Sequence, residues 1–251
     1  MSGNRPHNDE SQAGQNRVAG WPWAAGAVLV LAAAVAAGFY WEQTLTVEQV
    51  RFSGNWFVDT ETLAKQVSVP TGVRPDSLDY AGIIARAERI PYVKRAEVEV
   101  EPSGNLLVQI RERQPLAVLA GNNPRRYVDA EGVVLPLVLG KAVDLPLLYG
   151  FTAAEAGDTL KGEDFAAASR FLQSLRGRTV SDATISEVAW TSGEGIVALT
   201  HENGVKLLFG REAYENRLQN WEAFYAKIVR REGIRNMREI DLRFRGQIIT
   251  R

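Results

Sequence analysis

The sequence predicts an α+β fold with one N-terminal transmembrane helix, a β-α-α-β-β unit, and a mostly antiparallel β domain that carries two helices. Three observations predict it. Residues 21–41 contain no charge, residues 45–113 combine strand-like and helix-like patterns, and residues 115–251 hold many short β-prone runs. The 251 residues give room for two small domains, and an apolar content of 45 % is enough to form their cores.

The composition excludes several classes of function. The chain has no cysteine, which rules out disulfide scaffolds, thiolate zinc sites, iron–sulfur clusters and cysteine nucleophiles. Its two histidines, His7 and His201, are too few for a multi-histidine metal centre. Lys and Arg total 29 against 30 Asp and Glu, which argues against a nucleic-acid-binding surface over the whole protein.

The N-terminal segment reads as a polar tail followed by a membrane span. Residues 1–20 are rich in Gly, Asn and Gln, which predicts a disordered cytoplasmic tail. Residues 21–41 would cover about 30 Å as a helix, the thickness of a bilayer core, and aromatic residues stand at both of its ends. A cleaved signal peptide is the alternative, because residues 34–36 fit an Ala-x-Ala cleavage site.

The positive-inside rule gives a weak orientation for this span. Arg5 and Arg17 precede it, whereas only Arg51 follows closely. We therefore expect a cytoplasmic N-terminus, with the bulk of the chain, residues 42–251, outside the cytoplasm.

Residues 45–113 predict the order β-α-α-β-β. A short β-prone run ends at a Ser-Gly-Asn turn signal over 53–55, and two later alternating runs flank a Pro-Ser-Gly-Asn turn over 102–105. Between them lie two helical patterns with recognisable boundary residues. These boundary residues are Asp59 for the first helix, Ser77 or Asp79 for the second, and Pro91 at its end. A three-stranded sheet covered by two helices can bury one core.

Residues 115–251 predict a mostly β domain with two helices. The predicted strands lie within 127–135, 145–150, 185–190, 196–200, 205–209 and 239–251, and the helices cover 163–175 and about 212–231. Asn203 and Gly204 join two of these strands with a strong hairpin signal. The apolar stripe from Tyr214 to Ile228 follows helical spacing, which indicates core packing.

No group of residues has the pattern of an active site. A Ser-His-Asp triad needs a positioned histidine, and His201 is predicted at an exposed hairpin tip. Glycine-rich phosphate-binding motifs are absent, and the pair Asp129 and Glu131 offers too few oxygens for calcium. The sequence therefore predicts no enzyme activity, no cofactor, no metal, no nucleic acid and no small-molecule substrate.

The last part of the chain is strongly basic. Residues 227–251 hold eight Lys or Arg against three Asp or Glu. Cations at a helix C-terminus are favoured by the helix dipole, but Arg243 and Arg245 fall in the predicted final strand, where Leu242 and Phe244 should face the core. A terminal strand often forms a sheet edge that accepts a partner strand, and outward arginines can pair with carboxylates on that partner.

Several motifs occur in a definite order along residues 21–251. They are LTVEQVRFSGN over 45–55, IPYVKRAEV over 90–98, IRERQPLA over 110–117, YVDAEG over 127–132, LPL over 145–147, GVKLLFG over 204–210 and IDLRF over 240–244. Together with the single N-terminal span, this order resembles the FtsQ/DivIB family of bacterial cell-division proteins. The first unit resembles a POTRA domain, and residues 115–251 resemble the β domain of that family.

The resemblance implies a non-enzymatic scaffold in the cell inner membrane at the division septum. It implies partners of the FtsB and FtsL type, which are bitopic coiled-coil proteins, and a link to septal peptidoglycan synthesis. It also allows other division proteins to bind the POTRA-like domain. An FtsB-like partner would add a strand at the sheet edge near the C-terminus. By match, this contact falls on Arg243 and Phe244, and extension along the strand adds Arg245, Gln247 and Ile248.

Two other classes stay open. POTRA-like modules also precede outer-membrane barrels, so an envelope protein that handles unfolded or secreted clients is the main alternative, although residues 115–251 are short for a barrel. An anchored extracytoplasmic enzyme is the third class, for which the sequence offers no candidate residues.

Overall fold

The computed structural model describes residues 21–251, so the tail predicted over 1–20 lies outside the described residues. The first element is helix α1 (Trp21–Thr44). Among residues 21–251, no helix has both the length and the apolar character that a membrane crossing requires. The span predicted over 21–41 stays a prediction.

The first folded unit is a three-stranded sheet with two helices. Its strands are β1 (Val50–Ser53), β2 (Val93–Val100) and β3 (Leu106–Glu112), in the spatial order β1-β3-β2. Strand β3 lies in the centre, parallel to β1 and antiparallel to β2. The helices are α2 (Thr60–Val67) and α3 (Tyr80–Glu88). The predicted β-α-α-β-β order is confirmed.

Short polar side chains begin both helices, because the first N–H groups of a helix lack partners within it. The Asp59 carboxylate accepts the N–H of Thr62 at 2.8 Å, and that of Asp79 accepts the N–H of Gly82 at 2.9 Å. Of the two capping residues left open for α3, the structure selects Asp79. Leu63 lies on the buried face of α2.

A buried carboxylate fixes the loop between β1 and α2. Glu112, the last residue of β3, is only 8 % exposed and accepts backbone N–H groups from Trp56, Phe57 and Val58 at 2.8 to 2.9 Å. From the other side, the Lys141 ammonium donates to the carbonyl of Phe57 at 3.2 Å. The loop is therefore held between an anion of the first unit and a cation of the second.

The second unit is built on a nine-stranded sheet. Its strands are β4 (Pro115–Leu119), β5 (Arg126–Asp129), β6 (Val134–Pro136), β7 (Leu147–Tyr149), β8 (Ile185–Thr191), β9 (Gly195–Thr200), β10 (Lys206–Gly210), β11 (Glu239–Asp241) and β12 (Ile249–Thr250). Their spatial order is β12-β11-β10-β9-β8-β7-β4-β5-β6. Most neighbours are antiparallel, and the parallel pairs are β4 with β7, β7 with β8, and β10 with β11.

The β6 end of this sheet joins the first unit. Tyr127 of β5 and Leu135 of β6 are buried in the core of the first unit rather than in that of the second. The Tyr92 hydroxyl donates to the carbonyl of Pro136 at 2.7 Å. Arg113, on the connection between the units, pairs with Asp129 at 2.8 Å. The two units thus share one continuous set of contacts.

The helices of the second unit pack against its own core, which is separate from the core that it shares with the first unit. They are α4 (Glu163–Leu175), α5 (Thr179–Thr184), α6 (Tyr214–Phe224), a π-helical turn (Tyr225–Val229) and a last turn α7 (Arg230–Glu232). The helix predicted over 212–231 therefore begins two residues later and contains a widened turn. Because such a turn inserts one residue, the buried stripe passes to Val229 instead of the predicted Ile228.

Candidate partner-binding edge

The C-terminal end of the chain forms the free edge of the large sheet. The strand predicted over 239–251 is instead two short strands, β11 and β12, joined by residues 242–248. The predicted burial of Leu242 is confirmed, but the prediction of one continuous strand is wrong. Gly246, whose φ is +75°, allows the chain to reverse direction. Strand β12 then lies antiparallel to β11 and ends the sheet.

The hydrogen bonds of β12 define which of its backbone groups face outward. Arg251 donates to the carbonyl of Glu239 at 2.9 Å, and the N–H of Glu239 donates back to Arg251 at 3.1 Å. In an antiparallel pair, such doubly bonded residues alternate with residues whose backbone groups point to the opposite side. The backbone groups of Thr250 therefore point away from β11, toward the free edge.

The predicted binding residues lie beside this edge. Arg243, Phe244, Arg245 and Gln247 belong to the loop between β11 and β12, and Ile248 immediately precedes β12. Phe244 is 43 % exposed, and Arg245 and Gln247 are also exposed. Ile248 packs against the core of the second unit. The structure thus brings all five together, on a loop rather than along a strand.

Arg243 is held by a neighbouring carboxylate. Its Nε lies 2.8 Å from Oδ1 of Asp241, and its Nη2 lies 2.5 Å from Oδ2. Asp241 is only 4 % exposed, although strand alternation would place it on the same outward face as Arg243. Burial disfavours the carboxylate, but hydrogen bonds from the side chain and backbone of Arg243 outweigh it and lower the pKa of Asp241. The same hydrogen bonds raise the pKa of Arg243.

A second arginine ties the loop to helix α6. The Arg217 guanidinium donates to the carbonyl of Phe209 and, at 3.5 Å, reaches that of Arg243. It passes over Gly210, whose φ is +71°. A Cβ at Gly210 would lie 2.8 Å from Nη1 of Arg217 and 3.2 Å from Cγ of Arg243. Glycine is therefore the residue that this packing permits.

An ion-pair network covers the solvent face of the last four strands. Lys206 Nζ lies 2.8 Å from Glu194 Oε1 and 3.4 Å from Glu239 Oε2, and Arg251 Nη1 lies 3.3 Å from Glu239 Oε1. The hydrogen bond to Glu194 is the main cause of a raised Lys206 pKa. Beneath these side chains Leu208 is only 2 % exposed, although it lies on the face opposite the helices.

Sequence reasoning missed three residues that organise this edge. Asp241 and Glu239 lie two residues apart, with a cation two residues beyond Asp241, and strand alternation places such residues on one face. That spacing was the available signal for the ion pair. Arg217 offered none, because its target carbonyls belong to residues that are distant in sequence.

Comparison with known proteins places these features in context. Residues 114–251 match the family model described as FtsQ/DivIB, C-terminal related, and residues 45–113 match the model described as POTRA domain, FtsQ-type. The cell division protein FtsQ of Rhodothermus marinus is 33 % identical over 218 residues, 84 % of this chain and 79 % of that protein. FtsQ of Salinibacter ruber is 29 % identical over 239 residues, 90 % of this chain and 92 % of that protein.

Proposed function

The chain belongs to the FtsQ/DivIB family of cell-division proteins, and on this premise we propose that it is a non-enzymatic, membrane-anchored scaffold that binds a partner strand at the edge of β12. The proposed partners are bitopic coiled-coil proteins of the FtsB and FtsL type, through which the scaffold is linked to septal peptidoglycan synthesis. The observation that carries this proposal is the free edge at β12.

The backbone of β12 supports strand addition. The outward N–H and C=O groups of Thr250 can bond an incoming strand as β12 itself bonds β11. The edge is only two residues long in this state. A partner therefore gains few backbone hydrogen bonds, and side chains beside the edge must supply much of the affinity.

The loop between β11 and β12 supplies such side chains. Arg243 and Arg245 carry positive charge, and Phe244 offers an exposed aromatic ring. Exposed aromatic and arginine side chains are the residue types that most often dominate binding energy at interfaces. We therefore expect the partner segment to carry carboxylates and an apolar side chain facing this loop.

The decisive experiment removes one outward hydrogen-bond donor. In Thr250→Pro the ring eliminates the N–H that faces the free edge and leaves the bonds between β11 and β12 in place. The matched control, Thr250→Ala, keeps that N–H. Each tagged full-length protein is captured from membranes, and the bound proteins are identified and quantified by mass spectrometry.

We expect wild type and Thr250→Ala to retain small single-span coiled-coil proteins and Thr250→Pro to lose them. The melting temperatures of the three proteins should agree. If all three proteins retain the coiled-coil proteins equally, the edge of β12 does not bind them. Capture of secreted clients or outer-membrane proteins instead would favour the alternative function in which the POTRA domain handles polypeptide clients.

The membrane anchor is a separate part of the proposal. Residues 21–41 carry no charge, and Val28 to Leu31 are 65 % to 71 % exposed on α1, as expected for side chains that lipid covers. Extraction of membranes with alkaline carbonate tests this part. The full chain should stay in the pellet, and a chain lacking residues 1–44 should be released; release of the full chain would contradict the anchor.

A further inference from the structure

A dense group of cations follows the last helix of the second unit. We call Lys227, Arg230, Arg231, Arg235 and Arg238 the basic cluster; all five are exposed. The stretch 227–238 contains one acidic residue, Glu232, so its twelve residues carry a net charge of +4 (five minus one). Among the described residues, none of the five forms an ion pair, in contrast to Arg243 and Arg251 nearby.

The fold brings this cluster to one end of the β12 edge. Ile234 is 2 % exposed and fixes the turn between α7 and β11 in the core. The N–H of Arg238 then donates to the carbonyl of Arg251 at 2.6 Å, and its own carbonyl accepts the N–H of Lys206 at 3.0 Å. Arg238, the last residue of the cluster, therefore lies beside the Arg251 end of β12, while Arg243 and Arg245 lie at the opposite end.

Stabilisation of the helix explains only part of the cluster. Lys227, Arg230 and Arg231 lie in the last turns of the helical segment, where cations interact favourably with the helix dipole. Arg235 and Arg238 lie beyond the helix, on the connection to β11. The like charges of Arg235 and Arg238 repel one another, and neither forms an ion pair among the described residues. An anionic partner would offset this repulsion.

From this arrangement we infer that the basic cluster binds an acidic polypeptide segment directly adjoining the partner strand that β12 accepts. The inference rests on the proposed function and adds the chemistry of the partner. The contact of Arg238 with Arg251 favours a polypeptide over other polyanions, because a chain bound at the edge and leaving it at that end would continue at the end of the sheet that carries Arg238. If the partner adds antiparallel to β12, the acidic segment precedes its strand; if it adds parallel, the segment follows it.

The test reverses two charges in the cluster and two elsewhere. The test variant is Arg235→Glu/Arg238→Glu, and the matched control is Arg89→Glu/Lys161→Glu, which changes the net charge equally at two exposed positions. Both are made in the full chain beside wild type and Thr250→Pro. The readout is the quantity of single-span protein captured from membranes at several NaCl concentrations, with melting curves as a check of folding.

We expect the test variant to lose partner about tenfold at low salt and to lose the salt dependence seen for wild type, because both effects follow from removing attraction between charges. The control should stay within about twofold of wild type. Retention by the test variant equal to that of the control, with loss in Thr250→Pro, would overturn this inference and leave the proposed function intact. Retention by Thr250→Pro, or no capture by wild type, would overturn both.

A lipid surface is the competing occupant of the cluster, and a second probe separates it. Vesicles of phosphatidylglycerol and phosphatidylethanolamine are mixed with the same four proteins, each lacking residues 1–44 so that the proposed anchor does not hold them on the vesicle, and are sedimented. Equal sedimentation of test and control variants is expected. A loss of vesicle binding confined to the test variant, with partner capture unchanged, would assign the cluster to lipid and overturn the inference.

Discussion

Asp241 and Arg243 close an ion pair across two residues of one chain segment, through Nε and Nη2 of the arginine. This pair leaves the other edge of the guanidinium, formed by Nη1 and the second N–H of Nη2, and no hydrogen-bond acceptor for Nη1 occurs among the described residues. In the proposed contact, Arg243 would therefore meet a partner with its orientation already fixed by Asp241.

Reversing the charge of Arg243 should now affect stability as well as binding. An outward arginine, as the sequence predicts at 243, would contribute little to folding, but in the structure Arg243→Glu sets a second carboxylate beside buried Asp241. We expect a loss of about 1–3 kcal/mol in the free energy of unfolding, the cost of leaving a buried charge without its partner. Arg245→Glu, exposed and outside any described ion pair, should lose less than about 0.5 kcal/mol. Urea unfolding of both variants measures the difference; equal stability would contradict the pairing.

The ion pair should also make stability depend on pH in the acid range. The pKa of Asp241 in the folded protein lies below its ordinary value of 3.8, so the folded state favours the ionised form. The stabilisation is therefore complete above that ordinary value and disappears as pH falls through the lowered folded pKa. In Asp241→Asn the deficit relative to wild type should be constant near neutral pH and shrink toward pH 2. Unfolding curves that remain parallel over the whole range would show that the pair contributes nothing.

Leu242 and Phe244 provide a matched pair on the same loop. Leu242 is 1 % exposed and Phe244 is 43 % exposed. We expect Leu242→Asp to destabilise the domain by at least about 3 kcal/mol, because it removes a packed side chain and buries a charge. Phe244→Asp should change stability by less than about 1 kcal/mol. Thermal unfolding followed by circular dichroism tests this, and a wild-type melting temperature for Leu242→Asp would mean that its side chain is not in the core.

Glu112 should be among the most sensitive residues of the first unit. Glu112→Ala leaves the N–H groups of Trp56, Phe57 and Val58 without acceptors, and we expect a loss of about 2–4 kcal/mol. The control is Arg111→Ala, the exposed neighbour on the same strand. Hydrogen exchange should show faster exchange at 56–58 in Glu112→Ala alone. Unchanged protection there would mean that the carboxylate does not hold this loop.

The sequence predicted most regular elements because their local signals agree with their burial. The caps at Asp59 and Asp79, the Asn203-Gly204 hairpin and the limits of α4 all rest on residues close together in the chain. Strand β4 and helix α5 were not predicted, since they are short and carry no clear period. The buried position of Glu112 follows the strand alternation, but its three acceptor bonds depend on a loop more than fifty residues away.

The sequence analysis named the residues of the candidate site but did not predict the conformation of the chain that carries them. The resemblance pointed to Arg243 and Phe244, and these lie beside the free edge. The reversal at Gly246 could not be inferred, because the run from 239 to 251 is compatible with one continuous strand until the pairing of Thr250 with Ile240 is known. Local alternation describes which residues share a face, whereas the neighbours of a strand depend on the whole sheet.

The order of the nine strands sets a fixed distance between the two ends of the large sheet. The β6 end of the sheet is joined to the POTRA domain and the β12 end is the proposed partner site, so eight inter-strand steps separate them, about 38 Å at roughly 4.8 Å a step. Hydrogen-bonded strands resist stretching far more than a flexible linker does. The sheet therefore keeps a set separation between a protein bound to the POTRA domain and a protein bound at the far edge, whichever of them binds first.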